Sequence, residues 1–139
     1  MRRTLLTLVV GIILTGITAR AHHSFAAAYF EDQSVTMEGV VSEFEYRNPH
    51  AILRFNAKDA EGVAHMYAAE WSNPGRLAQA GVTKDTLKAG DVIRMSGSPG
   101  RVATEYKLHL KQITRPADGW TWGGERGGGR GAAGRGARR

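Results

Sequence analysis

The segment Ser34–Tyr46, "SVTMEGVVSEFEY", alternates apolar and polar residues, but the phase of the alternation changes within it. Val35 and Met37 fall on one face of an extended chain. The apolar residues that follow fall in the opposite register: Val40, Phe44 and Tyr46. Gly39 lies between the two registers, where a β-bulge or a sharp bend favours glycine. The segment therefore predicts one long, bent first strand.

The chain after this strand contains two more alternating segments, "NPHAILRFNA" and "VAHMYAAEW", separated by the turn-rich "KDAEG". A short helix follows, because Ser72 or Asn73 can cap it, Pro74 suits its first turn and Gly81 suits its end. The segment "TKDTLKAGD" predicts a second capped turn. Two final alternating segments, "VIRMSGSPG" and "EYKLHLKQITR", are separated by a Gly/Pro-rich turn.

The element order is three strands, a short helix and two strands. Together with a long bent first strand, this order predicts a mainly β fold, a small five-stranded OB-like barrel with the helix between strands 3 and 4. The predicted helix is too short for the parallel crossover of a layered α/β fold. We expect the "WTW" segment at 120–122 to end the ordered region and to pack on the barrel.

The first 21 residues have the pattern of a secretory signal peptide. Two arginines precede an apolar run at Leu5–Ile17, and Ala19 and Ala21 form an A-x-A cleavage site. Cleavage after Ala21 makes His22 the amino terminus of a periplasmic or secreted protein with no transmembrane segment. The alternative is an uncleaved membrane anchor. Lipoprotein processing is excluded, since the chain has no cysteine.

The formal net charge of +6 is unevenly distributed along the 139 residues. Residues 1–21 carry +3 and residues 123–139 carry +4, whereas residues 22–122 hold 11 basic and 12 acidic side chains. A nearly neutral domain argues against nucleic-acid binding. Residues 123–139, "GGERGGGRGAAGRGARR", have no side chain able to build a core, so we expect a disordered Arg/Gly-rich tail after a single β-barrel domain at 22–122.

Histidines are the residues most suited to chemistry in this chain. A free amino-terminal His22 can chelate one metal ion through its α-amine and its imidazole, with His23 adjacent. One further imidazole gives a three-nitrogen set of the kind that suits copper(II). This arrangement resembles the histidine brace of copper-dependent polysaccharide monooxygenases and of some periplasmic copper-binding proteins. The alternative is a frayed terminus with no ligand role.

His50, in the loop "RNPHA" between the first two predicted strands, is the partner that we expect for His22. His65 is the second candidate, although it shares a strand face with aromatic residues and can equally be a packed histidine. His109 alternates with two leucines, and we expect it to point to solvent with a plain surface role. Three methionines are candidate copper(I) ligands, but core packing explains them as well: Met37, Met66 and Met95.

Several segments resemble an uncharacterised family of small exported bacterial proteins, domain of unknown function 6152. The similar segments are "AHHSF", "GVVSEFEYRNPHA", "EWSNPGRLAQAGVTKDTLKAGD" and, with a small departure, "SGSPGR". The resemblance implies export, one β-rich domain and a role for the "HHSF" and "NPHA" motifs, but it supplies no reaction. The positions that it singles out are His22, His23, Ser24, Phe25, Asn48, Pro49, His50, Trp71, Asn73 and Pro74.

Two hypotheses of different class follow. The first is an exported metal-binding module, with copper as its cofactor and His22, His23, His50 and His65 as candidate ligands. The second is an OB-like adaptor that binds an envelope protein or an anionic polymer through its barrel face and basic tail. An enzyme is less favoured, because no phosphate loop, nucleophile elbow or HExxH is present.

Overall fold

A computed structural model of the chain describes residues 25–124. The order of elements begins with a short helix, α1 (Phe25–Ala28), and three strands: β1 (Val35–Glu45), β2 (Ile52–Lys58) and β3 (Ala64–Glu70). A second helix, α2 (Pro74–Gln79), leads to β4 (Val92–Pro99), a 3₁₀ turn (Ala103–Glu105), β5 (Lys107–Arg115) and β6 (Trp120–Gly123). No helix within residues 25–124 is long and apolar enough to span a bilayer.

Strands β1 to β5 form the closed barrel that the sequence predicts, with α2 between β3 and β4. The strands follow the order β3-β2-β1-β4-β5, with all of these neighbours antiparallel. A parallel pairing of β3 with β5 closes the barrel, and Glu70 lies opposite His109 in it. We call this pairing, Ala68–Glu70 with Lys107–His109, the closing seam. Closure pairs strand edges that would otherwise be open.

The barrel core is made by the inward-facing residues of the five strands. Leu53, Phe55, Ile93 and Ile113 are fully buried in it. Helix α2 closes one end of the barrel with Leu77, which is also fully buried. The Asn73 side chain caps α2 by accepting a hydrogen bond from the Arg76 N–H, as the sequence predicts.

The bend in β1 is present, but the prediction that Gly39 forms it is wrong. The register between β1 and β2 shifts between Val41 and Glu43, so Ser42 is the extra residue of the bulge. Val41 therefore enters the core, whereas Val40 is 43 % exposed. Gly39 serves a different purpose, since a Cβ there would lie 2.6 Å from the carbonyl oxygen of Asn56.

The "WTW" segment forms a sixth strand that the sequence reading missed. Strand β6 pairs with the second half of β5, opposite Gln112–Arg115. Trp122 packs edge-on against the buried Trp71, with ring centroids 4.9 Å apart, so packing on the barrel is confirmed. Trp120 packs partly against the core and lies under the Arg115 guanidinium.

Candidate functional site

The amino-terminal segment of the described chain packs on the outer side of the closing seam. Glu70 and His109 project outward there, because their neighbours Ala69 and Leu108 are buried inside the barrel. The Phe25 ring stacks on the His109 ring at a centroid distance of 3.6 Å and an angle of 7°. Its centroid also lies 5.0 Å from that of His50. Phe25 therefore joins two histidines that are 59 residues apart in sequence.

His50 is held by a carboxylate. It precedes β2, directly after the cis Asn48–Pro49 bond, and its Nδ1–H donates to Glu70 Oε1 at 2.5 Å. The Tyr29 hydroxyl donates to the other oxygen, Glu70 Oε2, at 2.6 Å. Burial and this carboxylate raise the pKa of Tyr29, which keeps the phenol a donor. Among residues 25–124, the Nε2 atom of His50 has no hydrogen-bond partner.

His109 is held in the same way, which corrects the prediction of a plain surface role. Its side chain is only 15 % exposed, because Phe25 and Tyr29 cover it. Its Nδ1–H donates to Glu31 Oε1 at 2.7 Å, and Lys111 Nζ donates to Glu31 Oε2 at 2.5 Å. Burial lowers the pKa of His109. We name Phe25, Tyr29, His50, Glu70 and His109 the seam cluster.

The charge on Glu31 supports this assignment of the His109 proton. Burial alone raises the pKa of Glu31, but hydrogen bonds from Lys111 and His109 outweigh burial and lower it. An ionised carboxylate only accepts hydrogen bonds, so the contact with Glu31 requires the proton on Nδ1 of His109. The Lys111 ammonium, whose Nζ lies 2.9 Å from the same Nδ1, only donates and competes with this arrangement. At His50, Nδ1 lies 2.5 Å from one Glu70 oxygen, and the other oxygen of the same carboxylate accepts from the Tyr29 hydroxyl.

His65 does not join this group. It lies near the start of β3, five residues before Glu70, which is about 17 Å along a strand. Its Nε2 atom pairs with Asp59 Oδ2 at 2.7 Å, and its ring stacks on Tyr106 at 4.1 Å. His65 thus packs against an aromatic residue at the other end of β3. This agrees with the second of the two interpretations given above, a packed histidine.

The three methionines take different positions. Met95 is buried in the core, and Met37, its register partner on β1, packs against the core from the edge. Met66 lies outside the barrel, 48 % exposed, and accepts a hydrogen bond from Ser42. Core packing therefore accounts for two of the three.

Residues 25–124 contain no group of three His, Asp or Glu side chains that could hold a metal ion by themselves. His22 and His23 lie outside the described residues, as do the predicted leader and residues 125–139 of the predicted tail. The described part of the chain therefore supplies two carboxylate-held imidazoles on one side of the barrel.

The sequence singled out His50 as a candidate ligand, but it did not predict that Glu70, Tyr29 and His109 lie beside Phe25 and His50. The available signal was the pair Phe25 and Tyr29, four residues apart on one helical face directly after "HHS". An apolar pair of this kind needs a surface to cover, and the outward side of β5 provides it.

These features define a small closed β-barrel on which the first described residues pack against His109 of the closing seam and the neighbouring His50. Residues 10–109 match the family model described as "Family of unknown function (DUF6152)", and the chain belongs to this family. The match confirms the resemblance and includes all five histidines, whereas β6 and the Arg/Gly segment lie beyond it. No match was found among curated proteins.

Proposed function

We propose that the protein is an exported copper-binding module in which a mature amino-terminal His22 and His50 hold the metal. The observation that carries the proposal is the position of Phe25, the third residue after His22, against His50 and His109. A three-residue segment spans at most about 11 Å, so a chain that leaves Phe25 reaches either imidazole without crossing the barrel.

The seam cluster supplies the outer hydrogen bonds that metal-ligating histidines typically have. A ligating histidine usually donates its second ring N–H to a carboxylate, which fixes the tautomer and raises the basicity of the ligating nitrogen. The Glu70 carboxylate does this for His50, and the Tyr29 hydroxyl holds Glu70 in turn. The Nε2 atom of His50, which has no partner within residues 25–124, is then oriented as a ligand.

The donor set favours copper(II). The α-amine and imidazole of His22 together with Nε2 of His50 are three nitrogen ligands, with the imidazole of His23 next in the chain. Nitrogen sets of square-planar or tetragonal geometry select copper(II) or nickel(II) among the divalent metals. Copper(II) lies at the maximum of the affinity order for such ligands.

The proposal is tested on protein exported from the full precursor. Intact mass gives the amino-terminal residue, and a copper(II) titration followed by electron paramagnetic resonance gives the stoichiometry and the nitrogen ligation. We expect a His22 terminus and one tight, nitrogen-rich site per chain. A version that retains Ala21 before His22 is the matched control, because it lacks only the free α-amine on histidine.

Equal copper affinity with and without Ala21 would show that the α-amine of His22 is not a ligand, and this would contradict the proposal. Weak, heterogeneous binding by a chain with a confirmed His22 terminus would do the same. The adaptor hypothesis then becomes the next to test, by deleting residues 125–139 and measuring the salt dependence of binding to an anionic polymer.

A further inference from the structure

A cavity lies at the end of the barrel away from α2. It has a volume of 710 Å³ and is formed by the start of β1, the turn between β2 and β3, and the loop between β4 and β5. Small-molecule sites typically enclose about 300–1,000 Å³, so this cavity has the size of a ligand site. No residue of the seam cluster lines it.

The cavity walls are mainly apolar and aromatic. The apolar and aromatic lining includes strand residues and residues of the loop before β5: Val35, Met37, Tyr67, Val102, Tyr106 and Leu108. Charged residues at the cavity balance, with two lysines, Lys58 and Lys107, against Asp59 and Glu61. A balanced rim gives no preference for a charged ligand, and an apolar wall favours a neutral one.

Tyr67 places one unused polar group at this cavity. The residue is only 8 % exposed, and its hydroxyl has no hydrogen-bond partner anywhere in residues 25–124. Burial raises the pKa of Tyr67, and the nearby Asp59 charge adds to the effect, so the phenol stays protonated and able to donate. Within residues 25–124, Trp71 Nε1 is the only fully buried side-chain polar atom without a partner, so the unpaired Tyr67 hydroxyl keeps accessible surface. Tyr67 lines the cavity, and the cavity is the side from which an acceptor can reach this hydroxyl.

The loop before β5, which forms one wall of the cavity, contains a residue with a strained backbone conformation. Tyr106 has φ 48° and ψ 47°, the left-handed region that a bulky residue rarely adopts. Its ring stacks on His65, which Asp59 fixes by a hydrogen bond, and meets the Tyr67 ring edge-on at 5.4 Å. Strain of this kind persists where the surroundings enforce it, and it concentrates at ligand sites.

We propose that this cavity binds a neutral small molecule with a planar apolar body and a hydrogen-bond acceptor oxygen that the Tyr67 hydroxyl meets. The other occupant to consider is the chain's own tail, but residues 125–139 contain no side chain that is both apolar and larger than alanine. The site is independent of the copper proposal, since it uses none of the same residues.

The test uses metal-free protein and Nile red, a neutral planar dye with a carbonyl oxygen, followed by fluorescence titration. We expect saturable one-to-one binding. Tyr67→Phe removes only the hydroxyl and should weaken binding about twofold to tenfold, the value of one neutral hydrogen bond. Met37→Trp fills the cavity and should abolish binding. Val40→Trp adds the same bulk on the outer face of the same strand and should leave the affinity unchanged.

Each outcome decides a part of the proposal. No saturable binding, or equal affinity in wild type and Met37→Trp, overturns the site. Loss in Met37→Trp with full affinity in Tyr67→Phe overturns the assignment of the acceptor. If Met37→Trp fails to fold by thermal melting, Tyr67→Phe, which keeps the ring, decides alone, and unchanged affinity in it then overturns the proposal.

Discussion

We expect His109 to support the proposed copper site by packing against Phe25 and not by binding the metal. Substitutions at this position can distinguish the two roles. Its ring stacks on Phe25, and burial keeps it uncharged at neutral pH by lowering its pKa. His109→Ala removes the stacked pair and should weaken copper(II) binding about twofold to tenfold, the equivalent of about 0.5–1.4 kcal/mol. His109→Phe keeps a ring but no nitrogen and should restore the wild-type affinity, measured by competition with a chromophoric chelator.

A His109→Phe protein that binds as weakly as His109→Ala would contradict this role and identify His109 as a ligand. The resonance spectrum gives a second readout, because loss of a nitrogen ligand changes its hyperfine pattern and loss of packing does not.

Glu70 is the residue that should control the ligand strength of His50. Glu70→Gln keeps the size of the side chain but removes the charge that orients the imidazole and increases its basicity. We expect copper(II) affinity to fall about tenfold to a hundredfold, the usual cost of losing such a partner. Glu38→Gln is the control, since Glu38 pairs with the exposed Arg94. Similar affinities in the two variants would contradict the orienting role.

The sequence alone allowed a prediction for His50 but not for His109. His50 could be selected because its loop position and "NPH" context are local features. His109 could not, since alternation correctly placed it outside the barrel but contained no information about which segment covers that side. Contacts between residues 84 positions apart, such as Phe25 and His109, depend on barrel closure and not on local pattern.

At the scale of elements, β1 combines a bulge and a glycine that have separate causes. Gly39→Ala places a Cβ 2.6 Å from the Asn56 carbonyl oxygen and 2.7 Å from the Phe55 ring, so β1 and β2 must separate. We expect a loss of about 1–3 kcal/mol in the free energy of unfolding, the usual cost of overpacking. Urea unfolding measures it, with Ser42→Ala, at the bulge itself, as the near-neutral control.

If Ser42→Ala were the more destabilising change, the close approach at Gly39 would not be the constraint. The sequence indicated the change of phase correctly, because alternation reports it directly. It could not separate the glycine from the bulge, which lie three residues apart in the same strand. Strand β6 was missed for a related reason, since the three residues between Gly119 and Gly123 are too few to show alternation.

For the whole molecule, the fold could be predicted because each strand and the helix has a sequence pattern of its own, and these patterns give the order of the elements. Five alternating segments and one capped helix leave few ways to close a sheet, and closure pairs β3 with β5. The sequence did not predict which residues come together on the outer side of the closing seam. The packing of Phe25 and Tyr29 on the seam, like the cavity at the other end, arises only when all strands are in place.

The free energy of unfolding should therefore depend on pH through the protonation of His109, which lies in the closing seam. Burial lowers the pKa of His109 below its usual 6.5, so the fold favours the neutral ring. The contribution of His109 is fully present above pH 6.5 and is lost as the pH falls toward its lowered value. Several carboxyl groups with lowered pKa lose their contribution in a more acidic range, below their usual values near 4: Glu31, Glu45, Asp59 and Asp118.

Urea unfolding of the metal-free protein at pH 7, 6 and 5 measures this separation. The wild-type free energy of unfolding should decline across this range, whereas His109→Phe, which has no group to protonate at this position, should show a smaller decline. Both proteins should lose stability together below about pH 4, where the shared carboxylates protonate. Parallel curves between pH 7 and pH 5 would mean that His109 is protonated in the fold without cost, and that Phe25 does not depend on a neutral ring beneath it.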